Sequence, residues 1–353
     1  MAREGLKIAI LYDSWDDGAE EPTADVPVEE PPRRRRKGRR KSTKVKRPML
    51  DREEIHEALG KLGHTPSYIE LDGKDPSLVA LAKCRADLVF NLTESYAGDD
   101  TKDMNIAAYL DLIDLPYTGA GPYGLYLAQN KALAKKIFHF HDIRTPFFAV
   151  SYKGLSEHAH DIAFPLIVKP QSEDGSIGID HGSVVSTVQD LLERIHYIHE
   201  QFDSPALIEE YIEGREIYAA VLGNTSPEAL PLVELDMSKL PEGTPRIAGT
   251  EAKWEKDSES YKKTVSRIAD ELDEETNENL KQTAVAAYQA LQLRDYGRID
   301  MRLTAEGKIY VIEGNPNPWL SSGAEFAMAA RKSGRNYTET MGEIVDLALA
   351  RYD

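Results

Sequence analysis

Cysteine is almost absent from this 353-residue chain, in which Cys84 is the single example. One cysteine excludes an internal disulfide and a cysteine-rich metal site, and we expect Cys84 to be a small buried hydrophobic residue rather than a nucleophile. The chain also has no apolar run near the ~18 residues that span a bilayer, and its first residues lack the apolar core of a signal peptide. We therefore expect a cytoplasmic protein.

Two consecutive stretches near the N-terminus each contain charged side chains of only one sign. Residues 16–30 hold seven acidic and no basic side chains, and residues 33–47 hold eleven Lys or Arg and no acidic ones. Apolar residues are few there, so we expect residues 14–48 to be a disordered insertion. The basic block favours either contact with nucleic acid or another anionic partner, or a merely solubilising loop. No aromatic residues interleave with the arginines, which weakens the case for base stacking.

The remainder of the first 120 residues alternates predicted strands and helices. The expected strands are 6–12, 65–71, 86–92 and 115–119, and the expected helices are 51–62, 76–83 and 102–112. This alternation predicts a doubly wound parallel sheet. Ligands bind beyond the carboxyl ends of the strands in such sheets, which places residues 12–15 and 91–96 at a possible substrate edge.

The middle of the chain contains a glycine loop between predicted strands. Gly175 and Gly178 would let backbone N–H groups approach a phosphate, although most glycine loops of this kind are hairpin turns. Residues 223–275 are polar, and we expect them to be rich in loops. The expected strands are 147–152, 164–170, 183–186, 206–212 and 216–222. The expected helices are 125–141, which bears Lys131, Lys135 and Lys136, a helix that Ser186 caps and that runs to Phe202, and 278–291.

A predicted β-hairpin at residues 298–315 carries polar residues on one face. Arg298, Asp300 and Arg302 alternate with apolar residues, and a turn at 305–307 precedes a β-branched return strand. Asp300, Glu313 and Asn315 would present oxygen donors at one point, as a hard cation such as Mg²⁺ requires. The alternative is a solvated hairpin whose carboxylates face water.

Ordered motifs between about residues 84 and 332 resemble the ATP-grasp superfamily, most closely its D-alanine–D-alanine ligase branch. The motifs are Leu115-Pro-Tyr-Thr-Gly, the lysine of Gln129-Asn-Lys, Phe164-Pro-Leu-Ile-Val-Lys-Pro with Gly-Ser-Ile-Gly four residues later, Glu209-Glu-Tyr-Ile-Glu-Gly-Arg-Glu, Glu251-Ala-Lys-Trp, Arg298-Ile-Asp and Glu313-Gly-Asn-Pro. The resemblance implies an α/β N-terminal domain with a doubly wound parallel sheet, followed by an α+β ATP-grasp fold of two subdomains. The implied units are 1–120, 121–205 and 206–353, the last holding the metal site.

The same resemblance implies a role for each motif residue. It implies that ATP and two Mg²⁺ ions, with Mn²⁺ possible, are the cofactors, and that Arg298, Lys253 and Ser176 serve catalysis. Arg298 would face an acyl phosphate. The implied ligands are Lys131, Lys169, Gly175, Ser176 and Lys253 for the phosphates, Glu209, Tyr211 and Ile212 for adenine, Glu216 for the ribose, and Asp300, Glu313 and Asn315 for the metals.

The implied reaction is ATP-dependent amide formation between a carboxylate and an amine through an acyl phosphate, with positioning and cationic charge supplying the catalysis. Several positions depart from the family's amino-acid pocket, which predicts altered substrate choice among amino acids or peptides. The departures are Tyr12-Asp-Ser-Trp for the family's first glycine loop, Asn91-Leu-Thr-Glu-Ser-Tyr for its histidine loop, Gly175 and Trp254 for a serine and a tyrosine, Trp319 for a glycine, and Ala324 for a serine near Ser321 and Ser322.

Three alternatives remain open at this point. The chain could be a genuine D-alanine–D-alanine ligase, an ATP-grasp kinase, or an ATP-regulated protein that binds an anionic partner through residues 33–47. A homodimer is also possible.

Overall fold

The structure, a computed structural model, describes residues 5–14, 49–153, 155–156, 163–173, 176–250 and 258–353. The strands in these ranges form three sheets. The strands are β1 (Lys7–Asp13), β2 (Thr65–Leu71), β3 (Leu88–Asn91), β4 (Phe148–Tyr152), β5 (Leu155–Ser156), β6 (Leu166–Pro170), β7 (Val184–Val185), β8 (Ala206–Glu210), β9 (Arg215–Leu222), β10 (Glu228–Ala229), β11 (Val233–Asp236), β12 (Val265–Ile268), β13 (Tyr296–Leu303) and β14 (Ile309–Asn315).

Helices cover the sheets and connect them. No helix within the described ranges is long and apolar enough to cross a bilayer. Of the insertion expected over 14–48, residues 15–48, which include the basic block, lie outside the described residues. The helices are α1 (Asp51–Lys61), α2 (Asp75–Lys83), α3 (Asp103–Leu112), α4 (Pro122–Gln129), α5 (Lys131–Phe140), α6 (Val188–Gln201), α7 (Glu259–Lys263), α8 (Glu274–Ala290), α9 (Glu325–Lys332) and α10 (Tyr337–Leu349), with short 3₁₀ helices at Asp100–Lys102 and His181–Ser183.

The N-terminal sheet is parallel, in the order β2-β1-β3, as the alternating pattern predicts. Its central strand β1 is buried from Ile8 to Leu11 because helices and other strands cover it. The strand expected over 115–119 is reduced to one parallel bridge between Val89 and Tyr117. The carboxyl ends of β1 and β3 lie side by side, so residues following Asp13 and Asn91 share one edge.

The middle sheet is antiparallel, in the order β5-β4-β8-β6-β7, and α6 covers it. Leu166, Val168, Ile198 and Ile208 form its small separate core. This layer supplies the strand pair β6–β8, whose cross-strand register sets Ile167 opposite Glu209.

Two helix predictions in this region need correction. The helix expected over 125–141 is two helices, divided at Asn130, whose side-chain oxygen accepts a hydrogen bond from the Leu133 N–H and so caps α5. Thr187, rather than Ser186, caps α6, because its hydroxyl accepts from the Asp190 N–H at 3.1 Å. Short polar side chains make such caps interchangeably, so sequence alone does not separate two neighbours.

The C-terminal sheet has the antiparallel order β12-β11-β9-β13-β14, with β10 also on β9. The described part of 223–275 is rich in loops, as expected, but the short elements β10, β11, β12 and α7 also lie there. Strands β11 and β12 have four residues each and carry charged side chains, so their local pattern is weak. β11 is stabilised by pairing with the long strand β9, and β12 is stabilised in turn by pairing with β11.

Buried apolar residues join the first and last parts of the chain. One cluster includes Leu11 and Ile299, and another includes Ile8, Ile55 and Ile344. The N-terminal sheet therefore shares its core with the C-terminal layer, which fixes the orientation of the two relative to each other. The division at residues 120 and 205 stays a prediction.

Candidate active site

A cleft is lined by residues of both the middle and the C-terminal sheets. Eight residues that the sequence assigned to nucleotide or metal binding line it together, so positions up to 144 residues apart in the chain meet in one place. They are Lys169, Ser176, Glu209, Tyr211, Ile212, Glu216, Asp300 and Glu313. The other lining residues are Pro146, Ile167, Ile179, Glu210, Ile247, Ala248, Arg302 and Ile312.

Glu209 lines this cleft and lies between two lysines. Its Oε1 is 3.0 Å from Lys135 Nζ and its Oε2 is 3.2 Å from Lys169 Nζ, and all three residues are at most 2% exposed. Burial on its own raises the pKa of Glu209. The two ammonium groups lower this pKa by more than burial raises it, so it lies below its ordinary value. Burial lowers the pKa of Lys135 to about 8 despite the neighbouring carboxylate.

The segment after Glu209 is held to the middle sheet through its backbone. The Glu210 N–H donates to Phe147 O at 2.9 Å, and the Tyr211 N–H donates to Pro165 O at 3.1 Å. Of the two backbone groups of Tyr211, its N–H is therefore already used by Pro165 and its carbonyl is left for a ligand in the cleft. Ile212 is buried at the cleft wall.

Glu216 is held between two partners on the C-terminal sheet. Its Oε1 accepts from the Tyr218 hydroxyl at 2.7 Å, and its Oε2 accepts from Arg302 Nη2 at 2.7 Å. Burial raises the pKa of Tyr218, so its hydroxyl remains a donor at neutral pH. Arg302 also donates to the carbonyls of Gly214 and Arg246, at 3.1 and 2.5 Å.

Lys135 and Arg302 were not among the predicted site residues. Both had a signal in the sequence. Lys135 lies four residues after Lys131 and so on the same helix face, and Arg302 continues the polar face that holds Arg298 and Asp300.

The hairpin β13–β14 brings its polar residues together, with a register shift between Asp300 and Met301. Asp300 lies directly opposite Glu313, and Arg298 lies opposite Asn315. Arg298 donates to both Asp300 oxygens, at 2.7 and 2.9 Å, and its guanidinium lies 4.7 Å from the centre of the Tyr218 ring.

Lys131 reaches the same point from α5. Its Nζ lies 3.8 Å from Glu313 Oε2 and donates to the Glu173 carbonyl at 2.5 Å. It thus connects the hairpin with the segment that leads into the glycine loop, although it does not line the cleft itself.

The three predicted metal ligands have the chemistry that Mg²⁺ requires. Carboxylate and amide oxygens on adjacent strands suit a hard cation that completes its shell with phosphate oxygens and water. The Asn315 side-chain nitrogen is buried and has no hydrogen-bond partner within the described residues, so no neighbour fixes the direction of this amide. No group of three or more His, Cys, Asp or Glu in the described ranges could hold a metal alone. The donor set fits a cation that arrives with a phosphate ligand.

The glycine loop closes the cleft on another side. Ser176 and Gly178 have φ of +66° and +73°, a conformation that glycine adopts readily. The Ser176 carbonyl accepts from the Thr250 hydroxyl at 2.9 Å, which ties this loop to the end of the segment before residue 251. Gly175 and Lys253, both predicted phosphate contacts, lie outside the described residues, as does Trp254.

Two of the segments expected to depart from the family's amino-acid pocket contact each other at the edge of the N-terminal sheet. Asp13 accepts from the Glu94 N–H and the Ser95 hydroxyl, at 2.9 and 2.7 Å. Ser322 donates to Glu54 through its N–H and its hydroxyl, at 2.7 and 2.6 Å.

Comparison with known proteins gives a consistent result. A sequence model described as the D-ala D-ala ligase C-terminus matches residues 137–346. A D-alanine–D-alanine ligase of Desulfotalea psychrophila is 31% identical over 273 residues, covering 75% of this chain and 79% of that protein. The uncharacterized protein y4sG of Sinorhizobium fredii is 34% identical over 265 residues, covering 75% of each chain.

A solved structure has the same fold over nearly the whole length. The D-alanine–D-alanine ligase from Bacillus anthracis, crystallised with ATP, superposes with a TM-score of 0.73 at 20% identity and covers 98% of each chain. The predicted fold class is thereby confirmed. The chain belongs to the D-alanine–D-alanine ligase family, whose members are ATP-dependent enzymes that form C–N bonds and have the ATP-grasp fold.

Proposed function

We propose that this chain joins a carboxylate to an amine in an ATP-dependent reaction through an acyl phosphate, with an amino-acid pocket altered from that of a D-alanine–D-alanine ligase. One observation carries the proposal: a single cleft is lined both by the Glu209–Ile212 segment and by the facing carboxylates Asp300 and Glu313. A nucleoside triphosphate needs one contact region for its base and another for its metal-bound phosphates, and this cleft contains both.

In this proposal the base of ATP lies against the segment from Glu209 to Ile212. A carboxylate accepts hydrogen bonds only, so Glu209 suits the 6-amino group of adenine. The apolar side chains of Ile167, Ile247 and Ile312 line the same cleft and suit the faces of a base. The ribose lies at Glu216.

The phosphates lie between the lysines and the hairpin. Lys131 and Lys169 contact them together with the glycine loop, including Gly175 and Ser176, and with Lys253. Asp300, Glu313 and Asn315 hold Mg²⁺ or Mn²⁺, two ions in all. Bound metal supplies positive charge beside the β- and γ-phosphates, which lowers the cost of charge movement in transfer.

The chemistry proceeds in two steps. An oxygen of the substrate carboxylate attacks the γ-phosphorus, the bond from that phosphorus to the bridging oxygen breaks, and ADP leaves. The amine nitrogen then attacks the acyl carbon, the carbon–oxygen bond to phosphate breaks, inorganic phosphate leaves and the nitrogen loses a proton. In this proposal Arg298, which donates to Asp300, stabilises negative charge in both steps.

The contacts at the edge of the N-terminal sheet support an altered choice of substrate. The carboxylate of Asp13 is already engaged by residues 94 and 95, and Ser322 is engaged by Glu54. Ser322 therefore lies beside a negative charge, which disfavours a second carboxylate at this point. Trp319, three residues before Ser322 and 52% exposed, adds bulk to the same segment.

The second candidate is D-alanine–D-alanine ligation itself, which the name of the Desulfotalea psychrophila relative favours. The test is ADP and phosphate release over a panel of L- and D-amino acids and dipeptides, singly and in pairs. The proposal expects a pair other than D-alanine twice to give the fastest release of both products. Robust turnover with D-alanine alone would establish the second candidate, and ADP release without free phosphate would indicate a kinase.

Four further properties remain proposals with their own tests. Limited proteolysis tests the division into 1–120, 121–205 and 206–353, and light scattering tests a homodimer. Deleting residues 33–47 tests whether that block contacts an anionic partner: unchanged turnover with a loss of salt-sensitive binding is the result expected for a separate binding role. Cell fractionation tests the cytoplasmic location.

A further inference from the structure

Two lysines share one buried carboxylate at the end of the cleft where the base is proposed to bind. Glu209 needs one positive charge to offset its own, but Lys135 and Lys169 both lie within 3.2 Å of it. The cluster therefore carries one excess positive charge in a place where isolated charges are costly. One of the two lysines is available for another anion.

The surroundings of the two lysines decide which one that is. Lys135 Nζ also donates to the Thr145 hydroxyl at 2.9 Å and lies 3.4 Å from the Ile312 carbonyl, so it connects α5, the segment before β4, and β14. Its side chain is completely buried and does not line the cleft. Lys169 lines the cleft, and Glu209 is its ion-pair partner.

We propose that Lys135 is the residue that positions Glu209 for recognition of the base. When ATP binds, Lys169 leaves its ion pair with Glu209 and contacts the phosphates of the nucleotide instead. The inference rests on the proposed function, since it takes Glu209 as the acceptor for the 6-amino group of adenine. Lys135 itself touches no substrate.

The exchange follows from charge balance. When Lys169 turns to the phosphates, Lys135 alone offsets the charge on Glu209 and keeps it an acceptor. Without Lys135, the carboxylate either keeps Lys169 away from the phosphates or is left buried without a partner, a state that favours its protonation. A protonated Glu209 donates as well as accepts, and its preference for a 6-amino over a 6-oxo group is lost.

The preference for ATP over a nucleotide with another base therefore tests whether Lys135 positions Glu209 or only supports the fold. ITP has a 6-oxo group in place of the 6-amino group of ATP. Lys135→Met should lower the ratio of the kcat/KM values for ATP and ITP by at least about tenfold, the size of one hydrogen bond to a charged group. The KM for ATP should rise more than kcat falls.

Lys136→Met is the matched control, because Lys136 is the next residue on α5, is exposed, and loses the same charge. It should leave the ratio unchanged. An unchanged ratio in Lys135→Met, or an equal fall in Lys136→Met, would overturn the inference.

Removing a buried cation next to a carboxylate can prevent folding, so a second comparison is needed. Lys135→Met/Glu209→Gln removes both charges and leaves Lys169 without an ion-pair partner at Glu209, as Glu209→Gln does. The inference expects this double variant and Glu209→Gln to have the same ATP/ITP ratio, because Lys135 acts only through the carboxylate. A further fall in the double variant would contradict it. A wild-type chain that consumes neither nucleotide would instead defeat the proposed function.

Discussion

Arg298 holds both carboxylate oxygens of Asp300, with Nε–Oδ1 and Nη2–Oδ2 distances of 2.7 and 2.9 Å. The arginine is itself held by the ring of Tyr218 and lies 3.8 Å from Glu325. A predicted metal ligand is thus neutralised by a predicted catalytic residue. For Asp300 to bind a cation as well, the arginine must share or release one oxygen, and this competition makes the two roles separable by mutation.

Arg298→Met should separate the catalytic role of Arg298 from the metal-binding role of Asp300. Turnover should fall by at least about 100-fold, because a cation that stabilises charge in the transition state is lost. The Mg²⁺ concentration needed for half-maximal nucleotide binding should fall, since a positive charge beside Asp300 has been removed. Calorimetric titrations of ATP at several Mg²⁺ concentrations measure this. A higher Mg²⁺ requirement would contradict the account.

Glu209→Gln should be strongly destabilising. It leaves Lys135 and Lys169 buried without a charged partner, and breaking a buried pair in this way costs about 3–5 kcal/mol. Urea unfolding at pH 7 gives the free energy of unfolding. Glu213→Gln, on an exposed residue of the same segment, is the control and should change it by less than about 0.5 kcal/mol.

The same carboxylate predicts a pH dependence. The folded-state pKa of Glu209 lies below its ordinary value of 4.5, so its ionised form stabilises the folded protein above that pH. This contribution is lost as the pH falls below 4.5 through the folded-state pKa. The free energy of unfolding should therefore fall more steeply in wild-type protein than in Glu209→Gln as the pH is lowered from 5 to 3. Parallel curves would show that Glu209 does not contribute.

Gly214 has no room for a side chain. A Cβ there would lie 2.3 Å from the Leu303 carbonyl oxygen, and the Gly214 carbonyl accepts from Arg302. We expect Gly214→Ala to cost about 1–3 kcal/mol and to raise the KM for ATP, because strands β9 and β13 must shift near Glu216. Gly60→Ala is the control: nothing lies within 4 Å of its Cβ, and alanine in helix α1 should stabilise by about 0.5–1 kcal/mol. Equal melting temperatures for the two variants would refute the expectation.

Local patterns predicted those parts of the site that a single element carries. Although a register shift between Asp300 and Met301 sets Glu313 opposite Asp300, the alternation around Asp300 indicated the hairpin itself. The glycine loop and the strand ending at Glu209 were found for the same reason. Such features depend on residues that are close in sequence.

The parts that depend on distant partners were missed. Strand β11 is stabilised by β9, and Arg302 acquires its role from Glu216, 86 residues earlier. Lys135 was seen only as one of three lysines on a helix, because nothing local shows that its ammonium meets Glu209. Pairings of this kind are set by how the sheets pack, and periodicity carries no information about them.

The central claim is that Asp300, Glu313 and Asn315 hold metal ions on a bound nucleoside triphosphate, and calorimetric titration of Mg·ATP tests it most directly. Wild-type protein should bind one nucleotide saturably, and Glu313→Gln should weaken binding by about tenfold or more through loss of a charged ligand. Glu306→Gln, in the exposed hairpin turn, should bind as the wild type does. No heat of binding in the wild type, or identical isotherms for wild type and Glu313→Gln, would contradict the account.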